Sequence, residues 1–456
     1  MNKTVVIDVV GLSANLIGEH TPFLTAYLKN RYMTPIKPLL PAVTTSVQST
    51  YITGKWPSEH GIVGNGWYDH DDAEIKFWKQ SNHLVQADKI WDKAKQLDPS
   101  FTCSKMFWWY NMYSTADYSV TPRPQYHSDG VKAPDCYAYP ASLRDELQST
   151  FGQFPLFSFW GPNANIESSQ WIADASLYVD KKHDPTLTLI YLPHLDYCLQ
   201  KYGPDFSKIQ KELTEIDGLI KQLVTHYEHQ QAEIILLSEY GIQPVDRPIH
   251  INRILRNEGQ IAVRHERWYE LLDAGASKAF AVSDHQVAHV YFNDPSEQDR
   301  IEEILQQTPG VAMVLDKTEQ QAHHIDHTRS GDLVVVAKAN SWFTYYYWLD
   351  DKLAPDYAPL VDIHRKPGYD PVEMFMDPKN PFIKLRAGYK LARKKLGFRY
   401  LMDLIPLDAS LIKGSHGSID TPKEYYPVLI SSQPSDTAAI CPTQVYDLIW
   451  KSLTRE

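Results

Sequence analysis

The sequence predicts an α/β fold: a mainly parallel sheet covered on both faces by helices, with a smaller inserted cap. Three observations carry that expectation. Short apolar runs alternate with segments of helical spacing, the pattern of parallel strands in a doubly wound sheet. Acidic residues, Asp8, Asp196 and Glu239, stand at or just after the ends of three such runs. A stretch from 340 to 410 breaks the alternation and is rich in aromatics, proline and charge. The expected partition is a core of residues 1–340 and 411–456, with a cap or insertion over 341–410.

Taken in order, TVVIDVV (4–10) reads as a buried strand and TPFLTAYLKN (21–30) as a helix. A helix at 89–97 precedes a strand-like run at 101–108. The amphipathic stretch 168–183 precedes TLTLIYL (186–192), and a long helix over 206–229 precedes AEIILLS (232–238). From 243 to 340 the pattern is more broken, with short strands at 279–283, 288–292 and 332–338 and a helix around 296–308.

Composition narrows the function. The chain has 456 residues, 43% hydrophobic and 22% charged, as expected of a globular protein with a sizeable core. Its 56 acids against 45 Lys and Arg give a net charge of −11. That balance argues against a nucleic-acid polymer as partner, because phosphate neutralisation needs a basic face. Four scattered cysteines, with no C-x-x-C pair, fit a reducing compartment. The apolar start is short and interrupted by Asp8, so a strand is expected there rather than a signal peptide. No stretch is long enough to span a bilayer. A cytoplasmic location is the expectation.

In sheets of this kind ligands bind beyond the carboxyl ends of the strands. Asp8, Asp196 and Glu239 are therefore candidates, and carboxylates that converge there repel one another unless a cation sits between them. A second signal is the segment LPAVTTSVQSTYITGKWPSEHGIVGN (40–65), where two threonines follow a Pro-led loop. Later come YLPHLDYCLQKYGP (191–204), SEYGI (238–242) and KGSHGS (413–418).

In this order the residues resemble the nucleotide pyrophosphatase/phosphodiesterase family of the alkaline phosphatase superfamily, of which the chain would be a divergent member. The resemblance runs over about 4–340 and returns at 413–430. It implies an alkaline-phosphatase-like three-layer sandwich. Pro41, Thr44, Thr53, Gly54, Pro57, His60, Gly61 and Asn65 match the family block in register. Thr44 is the implied nucleophile, Thr45 its runner-up, and Asn65 the implied donor to a phosphoryl oxygen. The helix-cap reading of Thr44 remains beside that role.

The resemblance further implies divalent metal, zinc first with Mn or Mg as alternatives, in one or two ions. Asp8, Thr44, Asp196, Glu239 and His416 match ligand positions. Three positions depart. Gln200 stands where the family has a histidine, and Glu239-Tyr240 where it has Asp-His. Gln200 and Tyr240 are poor zinc ligands. Additional or substrate-contacting candidates are Gln200 and Tyr240 themselves, Asp284 and His285, and Asp362 and His364 with Arg365, Lys366 and Asp370 close by. Surface or capping roles are the plainer alternative for the Asp and His residues among these. His323, His324 and His327 read as surface histidines, and His194 as a neighbour of Asp196.

The implied function is a metal-dependent hydrolase of phosphodiester or pyrophosphate bonds in a small-molecule substrate, acting through a covalent threonine intermediate. Two alternatives stay open: a phosphonate, phosphomonoester or sulfate ester hydrolase, and a catalytically degenerate binding protein. Trp67, Tyr68, Trp108 and Trp109 are candidates for stacking on a flat leaving group. The basic run at 384–400 reads first as a solvated face, second as a contact with an anionic membrane surface, and third as a lip that draws in anionic substrate. Oligomeric state is left open.

Overall fold

Strand β1 (Thr4–Val9) is buried at every position. Such a run of β-branched residues has no solvent face to alternate with, so it belongs in the middle of a covered parallel sheet. In the computed structural model, which describes residues 1–128 and 131–454, β1 pairs in parallel on both sides. The final two residues of the expected core range, 455–456, lie outside those described.

The other strands of this sheet are β2 (Tyr32–Pro35), β3 (Cys103–Met106), β4 (Tyr118–Pro122), β5 (Cys136–Tyr139), β6 (Leu187–Leu192) and β7 (Glu233–Leu237). A further strand, β12 (Val428–Ser431), returns from the C-terminal segment. The eight strands lie in the order β2-β12-β7-β1-β6-β3-β4-β5. The five central strands, from β7 to β4, are parallel. The pairs at the two margins are antiparallel. The α/β reading and the mainly parallel sheet are therefore present.

Helices α1 (Thr44–Thr53) and α7 (Gln444–Thr454) pack together, as do α2 (Ile166–His183) and α4 (Phe206–His229). α7 also meets β1, and α2 meets β6. The sheet thus forms the middle layer of a three-layer sandwich. One core joins Val5, Ile7, Leu189, Leu236, Ile220 and Ile449. Expected helix ends shift slightly. The first helix covers Pro22–Tyr27, and a 3-10 turn takes Leu28–Asn30.

The broken stretch after 243 resolves into a second sheet. Strands β8 (Ala279–Asp284), β9 (Val287–Phe292), β10 (Val311–Leu315) and β11 (Leu333–Ala337) are antiparallel in the order β8-β9-β11-β10. Helix α5 (Gln298–Gln306) lies against β10. The following segment is dense in buried aromatics: Trp342, Tyr345, Tyr346, Tyr347 and Trp348 cluster with Val245 and Ile412. Lys366 is buried there between Asp370 and Glu373, at 2.7 and 2.8 Å. After it comes α6 (Ile383–Lys395), which has no buried residue.

Candidate active site

Parallel register brings the acids together. Asp8, near the end of β1, lies level with Tyr191 on β6 and Leu237 on β7. The chain leaves β7 into Ser238-Glu239-Tyr240-Gly241, and leaves β6 into α3 (His194–Tyr202), which carries Asp196 in its first turn. The turn after β7 is clamped: Ser238 Oγ donates to the Leu12 carbonyl at 2.6 Å, and Tyr51 donates to the Ser238 carbonyl at 3.0 Å. Gly241 lets it pass under the Tyr425 carbonyl, which a Cβ at 241 would overlap.

Thr44 opens α1 and is only 4% exposed. Its Oγ1 lies 3.1 Å from the Tyr240 hydroxyl. That hydroxyl donates to Asp196 Oδ1 at 3.3 Å. Gln200, one turn along α3 from Asp196, donates to its other oxygen at 2.8 Å and accepts from the Tyr369 hydroxyl at 3.0 Å. Asp196 is thus held by O–H and N–H donors on both oxygens. Burial nevertheless pushes its carboxyl up to about 7.

On the other side of Thr44, Asp8 and Glu239 face each other across the side-chain amide of Gln48. Gln48 Nε2 lies 2.5 Å from Glu239 Oε1 and 3.4 Å from Asp8 Oδ2. Its orientation is fixed by the Trp109 N–H, which donates to Gln48 Oε1 at 2.7 Å. Burial, with the neighbouring carboxylate, raises Asp8 well above the usual carboxylate range, and burial pushes Glu239 up to about 7. Asp8 Oδ1 and Glu239 Oε2 are buried without a hydrogen-bond partner. Two such oxygens in one buried pocket are the arrangement a cation relieves.

His416 donates from Nδ1 to the Ala42 carbonyl at 2.7 Å, which leaves Nε2 as a lone pair with no hydrogen-bond partner. That nitrogen lies 3.8 Å from Asp196 Oδ1, and the ring stacks flat on Tyr240 with centroids 3.5 Å apart. Asp284 and His285 come from the tight β8–β9 turn, where His285 has a left-handed φ of 59°. His285 Nδ1 is 2.8 Å from Asp284 Oδ1, and its ring packs on Tyr369 and His416 at 3.6 and 3.8 Å. Asp284 accepts from the Asn65 backbone N–H at 2.8 Å and its side-chain amide at 3.1 Å. Asn65 Oδ1 in turn accepts from the Thr45 N–H at 3.2 Å. Thr45 Oγ1 is spent on the Gly64 carbonyl at 2.8 Å, so of the two threonines Thr44 alone offers its hydroxyl to the acid cluster.

The structure therefore gathers Asp8, Thr44, Asn65, Asp196, Gln200, Glu239, Tyr240, Asp284, His285 and His416. It does not bring Asp362 or His364 to them. Asp362 binds Glu373 through its backbone and lies 3.9 Å from Arg365, while His364 is exposed with its ring edge-on to Tyr126. Arg365 is exposed, paired with Asp356 at 3.0 Å. His194 lines a cavity of about 140 Å³ and stands 3.4 Å from Glu215. His323, His324 and His327 follow a helix that ends at Ala322; His324 stacks on Trp56, and His327 meets Gln86.

Of the four expected stacking aromatics only Trp109 borders the cluster, where it packs on Trp78 at 4.8 Å. Trp108 is core, Trp67 lies under Arg329, and Tyr68 packs among Phe280 and Tyr291. Two participants were not foreseen. Gln48 carries a signal, since it stands one helical turn after Thr44 on the same face. Tyr369 carries none, because its place depends on how the 341–410 segment folds back.

Among the described residues no group of three or more His, Cys, Asp and Glu side chains stands in metal-holding reach. The residues that would hold a cation there are Asp8 and Glu239, with their unpartnered oxygens, and the Thr44 hydroxyl beside Glu239, all oxygen donors. On the Asp196 side, tyrosine and glutamine take up the carboxylate.

Comparison with known proteins agrees with this architecture. The pattern of the type I phosphodiesterase / nucleotide pyrophosphatase family matches residues 4–370. Ectonucleotide pyrophosphatase/phosphodiesterase 2 of Saccharomyces cerevisiae is 22% identical over 319 residues, 64% of this chain and 54% of that protein. Human ectonucleotide pyrophosphatase/phosphodiesterase family member 1 is 24% identical over 243 residues, 51% of this chain and 22% of that protein. The chain spans about half or less of the length of these relatives. Murine ectonucleotide pyrophosphatase/phosphodiesterase 5, solved with AMP, has a TM-score of 0.59 at 14% identity, covering 100% of this chain and 95% of that one. Phosphonoacetate hydrolase from Sinorhizobium meliloti, solved with phosphonoacetate, has a TM-score of 0.61 at 12% identity, covering 99% and 96%. At these identities the two structures establish the fold alone.

Proposed function

Because the chain belongs to the type I phosphodiesterase / nucleotide pyrophosphatase family, we propose that it hydrolyses phosphodiester or pyrophosphate bonds of a small molecule, with Thr44 as nucleophile. The observation that carries this is the Thr44 hydroxyl set between two differently satisfied acid groups. A single cation held by Asp8, Glu239 and Thr44 would supply charge neutralisation at the attacking oxygen. An all-oxygen set suits a hard ion such as Mg or Mn better than the zinc first expected.

The protein's own groups handle the proton. As Thr44 Oγ1 bonds to phosphorus and the leaving oxygen departs, its proton passes to Tyr240, which hands its own to Asp196. The product is a covalent phosphoryl-threonine. The leaving group departs as an anion. Water then attacks phosphorus, keeps one proton on the new P–OH and gives up the other to the solvent and so to the departed anion, while the proton stored on Asp196 returns through Tyr240 to the departing Thr44 oxygen. A carboxyl poised near 7 serves in both directions. Backbone N–H groups at the start of α1 favour the negative charge of the phosphoryl group, and the second N–H of the Asn65 side chain, whose oxygen takes the Thr45 N–H and whose nitrogen also donates to Asp284, would be left to add to them.

One observation favours a second reading. Gln48 already donates to both Asp8 and Glu239, as a cation would attract them, and this fits a binding protein without turnover. Turnover of bis-p-nitrophenyl phosphate separates the two. The hydrolase reading expects activity in the wild type, abolished in Thr44→Ala. No turnover under any divalent ion, or equal turnover in the variant, overturns it.

A further inference from the structure

We propose that α6 and its flanks form a docking surface for an anionic lipid bilayer. The helix lies in a chain of net charge −11, yet residues 382–402 hold seven Lys or Arg and no acid. Arg386 and Lys390 pair with Asp403. Lys384, Arg393, Lys394, Lys395 and Arg399 have no carboxylate partner among the described residues.

Geometry makes the surface amphipathic in an unusual sense. Ile383, Ala387, Lys390 and Lys394 are half-buried and mark the side turned to the protein. The opposite, solvent side carries Leu385, Tyr389, Ala392 and Leu396 at positions i, i+4, i+7 and i+11, one continuous stripe. Leu385, Tyr389 and Leu396 are 71%, 62% and 73% exposed. A helix that stabilised only the fold would present the reverse arrangement, apolar inward and charged outward. Phe382 and Phe398 flank the helix at either end, and both are exposed. On a helical projection Arg386 and Arg393 border it on one side, Lys384 and Lys395 on the other.

An apolar stripe edged by cations matches the boundary between acyl chains and anionic headgroups, with the helix lying in the plane of the surface. Thirteen residues, about 20 Å of helix, are too few to cross it. A protein partner fits less well, because the cores of protein interfaces are depleted in charge, whereas cations border this stripe on both sides.

Vesicle sedimentation with the full chain tests the proposal, using phosphatidylcholine alone and phosphatidylcholine mixed with phosphatidylserine. Retention is expected on the mixed vesicles and not on the neutral ones, with release as salt rises. Leu385→Asp/Leu396→Asp is expected to abolish retention. Lys384→Glu/Lys395→Glu is expected to weaken it by roughly tenfold or more. Both variants are surface changes, expected to melt as the wild type does, which keeps binding loss apart from unfolding. Three results would overturn the proposal: no retention on mixed vesicles, variants retained like the wild type, or a wild-type dimer that Leu385→Asp/Leu396→Asp turns into monomer. The last would assign the stripe to a second copy of the chain.

Discussion

The two halves of the Thr44 site solve the same electrostatic problem differently. Around Asp8 and Glu239, two buried carboxylates share one amide donor and leave an oxygen each without a partner. Around Asp196, both oxygens are met by neutral donors from Tyr240 and Gln200, which Tyr369 braces. The first half retains an unmet demand for positive charge. The second has replaced that demand with a hydrogen-bond network, and so can hold and release a proton instead. On the proposed function, such a site diverges by half, with Thr44 between one ion position and one proton relay.

The largest effect that would break this comparison is at the residue the halves share. Thr44→Ala is expected to lower turnover by at least about 10³-fold, measured with a chromogenic diester. Next, Asp8→Asn or Glu239→Gln is expected to weaken Mg or Mn binding by about 100-fold in titration calorimetry, while Asp196→Asn changes it little. Equal losses in all three variants would mean the halves are alike. Tyr240→Phe removes the relay hydroxyl but not the ring stacked on His416, and is expected to cost about 10²-fold in kcat with little change in cation affinity.

The halves can also be made alike. Gln200→His/Tyr240→His gives Asp196 and His416 two nitrogen ligands beside them, and is expected to raise bound metal from one ion per chain to two. The smallest effect concerns the scaffold under both halves. His60, fully buried, meets Thr50 of α1 at 3.0 Å, and burial holds its imidazole down at about 3. The unfolded chain binds that proton near 6.5, so stability is present above 6.5 and lost as pH falls toward 3. The slope is about 1.4 kcal/mol per pH unit, read as a falling melting temperature that His60→Gln flattens.

Much of this was legible in the residues. Buried apolar runs with acids at their ends declare a covered parallel sheet and its ligand-binding edge, because those runs have no polar alternation to offer another fold. Register around Thr44 could be read because the Pro-led threonine loop, its helix and the following turn are local in sequence. The second antiparallel sheet was less visible. Its strands are short and three of the four are buried on both faces, so they mimic fragments of the first. Asp362 and His364 looked like ligand replacements, yet an Asp and a His two apart say nothing about which way a loop turns. Gln48 and Tyr369 complete the acid cluster through contacts 191 and 169 residues away, and spacing does not encode such distances.

The central claim is that one half of the site holds an ion and the other does not. Metal analysis of the purified chain, dialysed against Mg or Mn, tests it most directly. One ion per chain is predicted, lost in Asp8→Asn and kept in Asp196→Asn. Two ions in the wild type, none, or one that survives Asp8→Asn would contradict it.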